Sequence, residues 1–284
     1  MNIGLNAAQG EFVTILESDD FFEPETLERL HQAITGFEAE VVRANFFLYW
    51  SDPLRKNEFR TLAPANQDGR LVNPQEERDI FDYPPAISTG MYKRDFLLRN
   101  DIRFLETPGA SYQDTSWAFK VWVCATKAAF IQDAFLHYRQ DNESSSVNAL
   151  DKVYCVVDEY DEIERFLVSR NAPTWQYAQM VKKKLSTYLW NYDRLPDEFK
   201  LEFIQKVSSA MERDIAVGYL DWELFDRQHR KELAVILRSP TDFSTYRKLY
   251  VKGDFISRVA YSFKIGGLPL AFETIAQKLF PTKG

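Results

Sequence analysis

The run Phe12-Val13-Thr14-Ile15-Leu16 is closed directly by Glu17-Ser18-Asp19-Asp20. No other stretch constrains the fold as tightly. Aromatic and β-branched side chains in succession read as a buried strand, and a buried strand ending in three carboxylates has set charges beside its core. Such charges need water, a cation or another partner. A local answer exists: Glu23-Pro24-Glu25 precedes Thr26-Leu27-Glu28-Arg29-Leu30, a helix with proline in its first turn, where acids complement the dipole. The flanking sequence decides between the two.

Around this run the chain alternates strand and helix. Asn2 to Ala8 reads as the end of a helix, Gly10 as its left-handed cap, and Phe12 to Leu16 as the strand. A helix follows over 24–35, then a second strand over Val41 to Tyr49. Pro64 to Pro74, with Asp68-Gly69, is turn-rich and reads as an exposed hairpin or loop. Met91 to Asn100 reads as a short helix before an extended Ile102-Arg103-Phe104, and Asp114 opens a helix that runs to Lys127. Ala128 to Ile131 and Ala134 to Tyr138 read as two strands.

After the serine run Ser144-Ser145-Ser146 the periodicity changes to 3.6 residues, through Leu150, Val153, Tyr154, Val157, Tyr160 and Ile163 and onward to about residue 238. The expectation is an α/β sheet domain over 1–147 and a mainly helical C-terminal domain over 148–284.

The 284 residues are 45% apolar and 27% charged, enough for a packed core. A net charge of −7 argues against a nucleic-acid partner held by a general basic surface. The charge is uneven. From Arg247 onward seven cations face two acids, giving +5 and leaving −12 for the remainder. Two cysteines, Cys124 and Cys155, make no disulfide framework and no metal-ligand spacing, so Cys124 is read as core filler and the compartment as reducing. With neither a signal peptide nor a membrane-length apolar run, the expected location is the cytoplasm.

Two blocks of residues share a resemblance. Asn2-Ile3-Gly4-Leu5, Ala8-Gln9-Gly10-Glu11-Phe12-Val13, Leu16 to Asp20 and Pro24-Glu25 resemble the middle of family 2 glycosyltransferases of the GT-A fold, a Rossmann-like α/β architecture. Met91 to Leu97, Ile102-Arg103-Phe104, Tyr112-Gln113-Asp114 and His137-Tyr138-Arg139 resemble that family's acceptor-side half, in register downstream. The resemblance covers residues 2–146.

It implies an inverting enzyme that moves a sugar from a nucleotide-sugar donor to a saccharide or lipid-linked acceptor, in the synthesis of surface polysaccharide. Asp19 would ligate Mg2+ or Mn2+, in a motif of the DXD type, and Glu17 would stand in place of the family's first aspartate. Glu17 is one methylene longer than the usual residue there. Asp20 would join the donor site or serve the following helix. Carboxylates at the C-terminal end of a parallel strand would sit in the ligand crevice of an α/β sheet.

Asp114 resembles the carboxylate that deprotonates the acceptor hydroxyl; its structural alternative is the N-cap of the helix it opens. Family members often carry Glu-Asp here, whereas this chain has Gln113-Asp114. Arg139 would reach the diphosphate and the serine run would act as a lid, against a reading of Tyr138 as core and Arg139 as a surface charge. Tyr112 is the aromatic expected to stack on an acceptor sugar, whereas Trp117 and Trp122, at helical spacing, are read as core.

The resemblance begins late in the family pattern. Two βα units of about 30 residues or more each would precede Asn2 in a family member. The expectation is therefore of a start internal to a longer enzyme; the alternative is a protein derived from that fold that is non-catalytic and acceptor-binding, or that depends on a partner chain or a second copy. Toward the C-terminus, Arg258 to Lys264 and Leu268 to Phe280 mix cations with aromatic and aliphatic residues. That pattern fits either a peripheral contact with the inner face of an anionic membrane or a final helix packed on its domain.

Overall fold

The computed structural model describes residues 1–51, 53–106, 112–142 and 153–280. The chain divides into two units, Met1–Phe166 and Leu167–Gly284. The serine run expected to act as a lid lies outside the described residues.

The first unit contains, in order, α1 (Asn2–Ala7), β1 (Phe12–Thr14), β2 (Phe21–Phe22), α2 (Thr26–Gly36), β3 (Val41–Trp50), β4 (Lys56–Arg60), β5 (Leu71–Val72), β6 (Gly90–Lys93), α3 (Arg94–Arg99), α4 (Gln113–Cys124), β7 (Ala128–Arg139) and most of α5 (Cys155–Ser169). The sheet runs β1-β6-β3-β7-β2, with β4 added to β3 and β5 to β7. β3 lies at its centre, parallel to β7 and antiparallel to β6, and the first six residues of β3 are buried.

Alternation along β3 serves both faces. Val42 and Ala44 join Leu30, Ile34, Met91, Ala129 and Phe135 in a core against α2. On the opposite face Arg43 lies 5.7 Å from the Trp122 ring, while Trp117 of α4 packs edge-on against Tyr92 and stacks on Phe104. Trp117 and Trp122 are therefore core, as their helical spacing indicates. β6 approaches β3 so closely that a Cβ on Gly90 would lie 2.4 Å from the Val42 carbonyl oxygen.

Several local expectations change. Gly10 takes no left-handed conformation; α1 ends instead on an extended Ala8. β1 stops at Thr14, is half-buried rather than buried, and its partner among the described residues is antiparallel β6, not a parallel neighbour. Met91-Tyr92-Lys93 belongs to β6 because both of its sides find ladder partners, which local periodicity does not register. The segment 64–74 is not simply exposed: Gln67 and Val72 are buried and β5 pairs with β7.

β7 is one strand rather than two, with its polar interruption absorbed by register shifts opposite Asn45. The buried Asn45 side chain holds that irregularity, donating to the Gln132 carbonyl at 2.9 Å and accepting from the Leu62 N–H at 2.7 Å. α4 ends at Cys124, which is only partly buried and so is not core filler.

The second unit is helical: α6 (Thr174–Arg194), α7 (Asp197–Ala216), α8 (Arg227–Arg238), α9 (Pro240–Lys252) and α10 (Phe255–Leu279). Its turns carry strong signals. Asp226, Ser239 and Asp254 cap α8, α9 and α10 through side-chain oxygens, and Pro240 opens α9. Buried charges are paired: Lys184 Nζ donates to Asp214 at 2.8 Å, and Arg247 bonds Asp193 and Glu232. Among the described residues no helix is long and apolar enough to cross a membrane.

Candidate functional site

The acidic turn sits between β1 and β2, closed by a hydrogen bond from the Asp20 N–H to the Glu17 carbonyl at 3.2 Å. α2 begins only at Thr26, with Glu25 as its N-cap and Glu28 in its first turn, so Glu17, Asp19 and Asp20 stand outside that helical turn. The turn is held instead by the end of β7, 119 residues away. Arg139 donates its backbone N–H to Asp20 Oδ1 at 2.9 Å and its Nε–H to the Asp19 carbonyl at 2.9 Å. Its Nη1 reaches the Ser51 hydroxyl, and the guanidinium lies 5.3 Å from the Tyr49 ring. Asn142 donates to Asp19 Oδ2 at 2.7 Å. Arg139 thus braces the turn, with about a third of its side chain exposed, and is not a simple surface charge.

Glu17, Asp19 and Asp20 each present a carboxylate oxygen within 4.8 Å of the others. Crowding leaves its mark on their titration. Desolvation, then the charges of Asp20, Asp114 and Asp19, push the Glu17 carboxyl up to about 7. Glu17 keeps an exposed face, so like-charge repulsion is the firmer of these causes. Burial pushes Asp20 up to about 6, against the hydrogen bond from Arg139. An all-oxygen set strained by its own negative charge has the chemistry of a hard divalent cation site.

Asp114 comes from the other half of the domain. It is the second residue of α4; the N-cap is Tyr112, which holds φ 63 in the left-handed region. The capping alternative for Asp114 is therefore set aside. A non-glycine residue in this region costs energy and needs support from its surroundings. Asp114 lies within electrostatic range of Glu17, and Tyr138 feels all four carboxylates. Burial, then Glu17, Asp114, Asp20 and Asp19, push the Tyr138 phenol up to about 12. Tyr138, 39% exposed, is a surface of this site and not core.

Two further residues escaped the sequence reading. Arg43 on β3 is buried, donating to Thr89 Oγ1 at 3.1 Å and to the carbonyls of Pro84 and Ala86. Glu159 of α5 is 1% exposed and accepts the Ser116 N–H of the first turn of α4 at 3.1 Å, while its second oxygen has no hydrogen-bond partner. Burial, chiefly, pushes its carboxyl up to about 7; the Asp114 charge adds to the rise, while Ser116 and Lys120 oppose it. A carboxylate that the Gln113-Asp114 pair lacks in sequence thus arrives from another helix. Long-range placement of this kind leaves no local signal.

Residues 1–97 match the model of glycosyl transferase family 2. Over that first third the chain is similar to the family 2 glycosyltransferases. Glycosyltransferase GlyG of Streptococcus pneumoniae serotype 4 is 26% identical over 151 residues, 50% of this chain and 48% of that protein. The poly(ribitol-phosphate) β-N-acetylglucosaminyltransferase TarS of Staphylococcus aureus is 25% identical over 166 residues, 58% of this chain and 27% of that protein. The matched part thus spans less than half of either relative. The crystal structure of S. aureus TarS 1–349 superimposes with a TM-score of 0.56 at 17% identity, covering 89% of this chain and 70% of that one. The fold is GT-A with a helical C-terminal region, as the sequence resemblance implied.

Proposed function

We propose that this chain is a glycosyltransferase that moves a sugar, with inversion, from a nucleotide-sugar donor to a saccharide or lipid-linked acceptor in surface polysaccharide synthesis, on the cytoplasmic side. The observation that supports it is the clustering of Glu17, Asp19 and Asp20, within electrostatic range of Asp114 and of the Tyr138 phenol. Asp19, aided by Glu17 and Asp20, would hold Mg2+ or Mn2+. A divalent ion there supplies charge that offsets the growing negative charge of the leaving diphosphate. The partly exposed Arg139 guanidinium would face that diphosphate while bracing Asp19.

Asp114 would accept the proton of the acceptor hydroxyl as its oxygen attacks the anomeric carbon, so that a single displacement inverts that centre. Tyr112, two residues earlier, would stack on the acceptor. The name of TarS, a transferase for poly(ribitol-phosphate), supports an acceptor of the surface-polymer class.

The test is incubation of the chain with Mn2+ and radiolabelled nucleotide sugars, with product configuration read by NMR. Metal-dependent transfer or hydrolysis, lost in Asp114→Asn, is expected. Retained configuration contradicts the single displacement, and an absence of turnover with acceptor binding intact favours a non-catalytic binding protein.

A further inference from the structure

The element α10 is a hairpin. Gly267 takes φ 69 and ψ −164, a backbone that side chains oppose, and Pro269 opens the second arm. The arms lie side by side: the hydroxyls of Ser262 and Thr274 hydrogen-bond at 2.7 Å, and Lys278 Nζ sits 3.9 Å from the Phe255 ring. Tyr261, Ile265, Leu270 and Ala271 are buried. The other side is open. Phe255, Ile256, Val259, Phe263, Leu268 and Phe272 line a groove of about 480 Å³, and Ile256, Phe272 and Leu268 are 79%, 64% and 61% exposed. Single exposed apolar residues need no explanation, but a contiguous apolar groove marks an interaction surface.

Charge identifies the occupant. Arg258, Lys264 and Lys278 belong to the same hairpin; Lys278 lies over the Phe255 ring that lines the groove, Lys264 lies over the Tyr246 ring, and none of the three pairs with a carboxylate among the described residues. The nearby acids are committed elsewhere, Glu273 to Arg227 and Asp254 to the N-terminus of α10. A second copy of this chain docking about a two-fold axis would set these cations against themselves. An anionic lipid surface meets both features at once: apolar side chains enter the acyl boundary while cations face the headgroups.

We propose that the α10 hairpin docks the chain on an anionic bilayer surface through Ile256, Phe263, Leu268 and Phe272, with Arg258, Lys264 and Lys278 against lipid headgroups. This contact is independent of the transfer chemistry.

The experiment is co-sedimentation of the full chain with phosphatidylcholine vesicles, with and without phosphatidylglycerol, at low and high salt. Retention only on the anionic vesicles and release by salt are expected. Replacing both Lys264 and Lys278 by Ala should weaken binding about 25-fold, roughly five-fold per cation, and Phe272→Asp should abolish it. These side chains are exposed, and circular dichroism checks that each variant keeps its helices; should Phe272→Asp misfold, the lysine pair decides. Absence of retention, or retention unaltered by the variants, overturns the proposal. So does a concentration-dependent dimer that dissolves in Phe272→Asp, which would assign the groove to a second copy.

Discussion

The backbone N–H of Arg139 donates to Asp20, and the Arg139 side chain reaches the carbonyl of Asp19, both at 2.9 Å. One residue at the end of β7 thereby fixes the geometry of an acidic turn that β1 delivers. Arg139→Gln keeps the backbone bond and removes the guanidinium links. Groups that orient metal ligands typically contribute 10–100-fold to affinity, so Mn2+ should bind about ten-fold more weakly or worse in calorimetry. Unchanged affinity would remove Arg139 from the site.

Asp114 is not the cap of α4, so its charge contributes to the helix only as a first-turn acid, worth under about 1 kcal/mol. Asp114→Asn should therefore leave urea stability nearly intact. Loss of a general base lowers turnover by roughly 100-fold or more. A variant that turns over normally has excluded Asp114 as the base.

Glu159 makes stability depend on pH. Its carboxyl, at about 7 in the fold against 4.5 ordinarily, contributes stability that is complete below 4.5 and lost as pH rises through about 7. Glu159→Gln still offers an oxygen to the Ser116 N–H but carries no charge. Relative to wild type, the variant should gain on the order of 2 kcal/mol between about pH 5 and about pH 8. Chemical denaturation at both pH values measures this; a difference that does not change with pH contradicts it.

In the helical unit, Lys184 and Asp214 are 1% and 0% exposed, and Asp214 Oδ1 has no hydrogen-bond partner. Lys184→Met alone strands a buried carboxylate and should cost about 3–5 kcal/mol. Lys184→Met with Asp214→Leu should recover most of that loss in urea unfolding. Equal losses in the single and double variants would mean the pair's charge is not what holds α6 to α7.

Much of this was legible in the chain. The apolar run 41–49 announced the central strand, the acidic turn announced itself, and aromatics at helical spacing placed Trp117 and Trp122 in the core. What stayed hidden depends on partners distant in sequence. Residues 91–93 are a strand because β1 and β3 flank them, and Gln132-Asp133 interrupts β7 without ending it because Asn45 bonds the irregularity. Tyr138 points out of the core at the strand end that Arg139 ties to the acidic turn, and Glu159 meets α4 from a helix more than forty residues on. Local pattern reports which face of an element is apolar; it does not report what another element brings to the polar face.

The most direct measurement is metal-dependent turnover of a radiolabelled nucleotide sugar by wild type, Asp19→Asn and Asp114→Asn side by side. The account predicts turnover that requires Mn2+ or Mg2+ in wild type and disappears in both variants, with Asp19→Asn alone losing metal affinity. Turnover that persists without a divalent ion, or that survives either substitution, would contradict it.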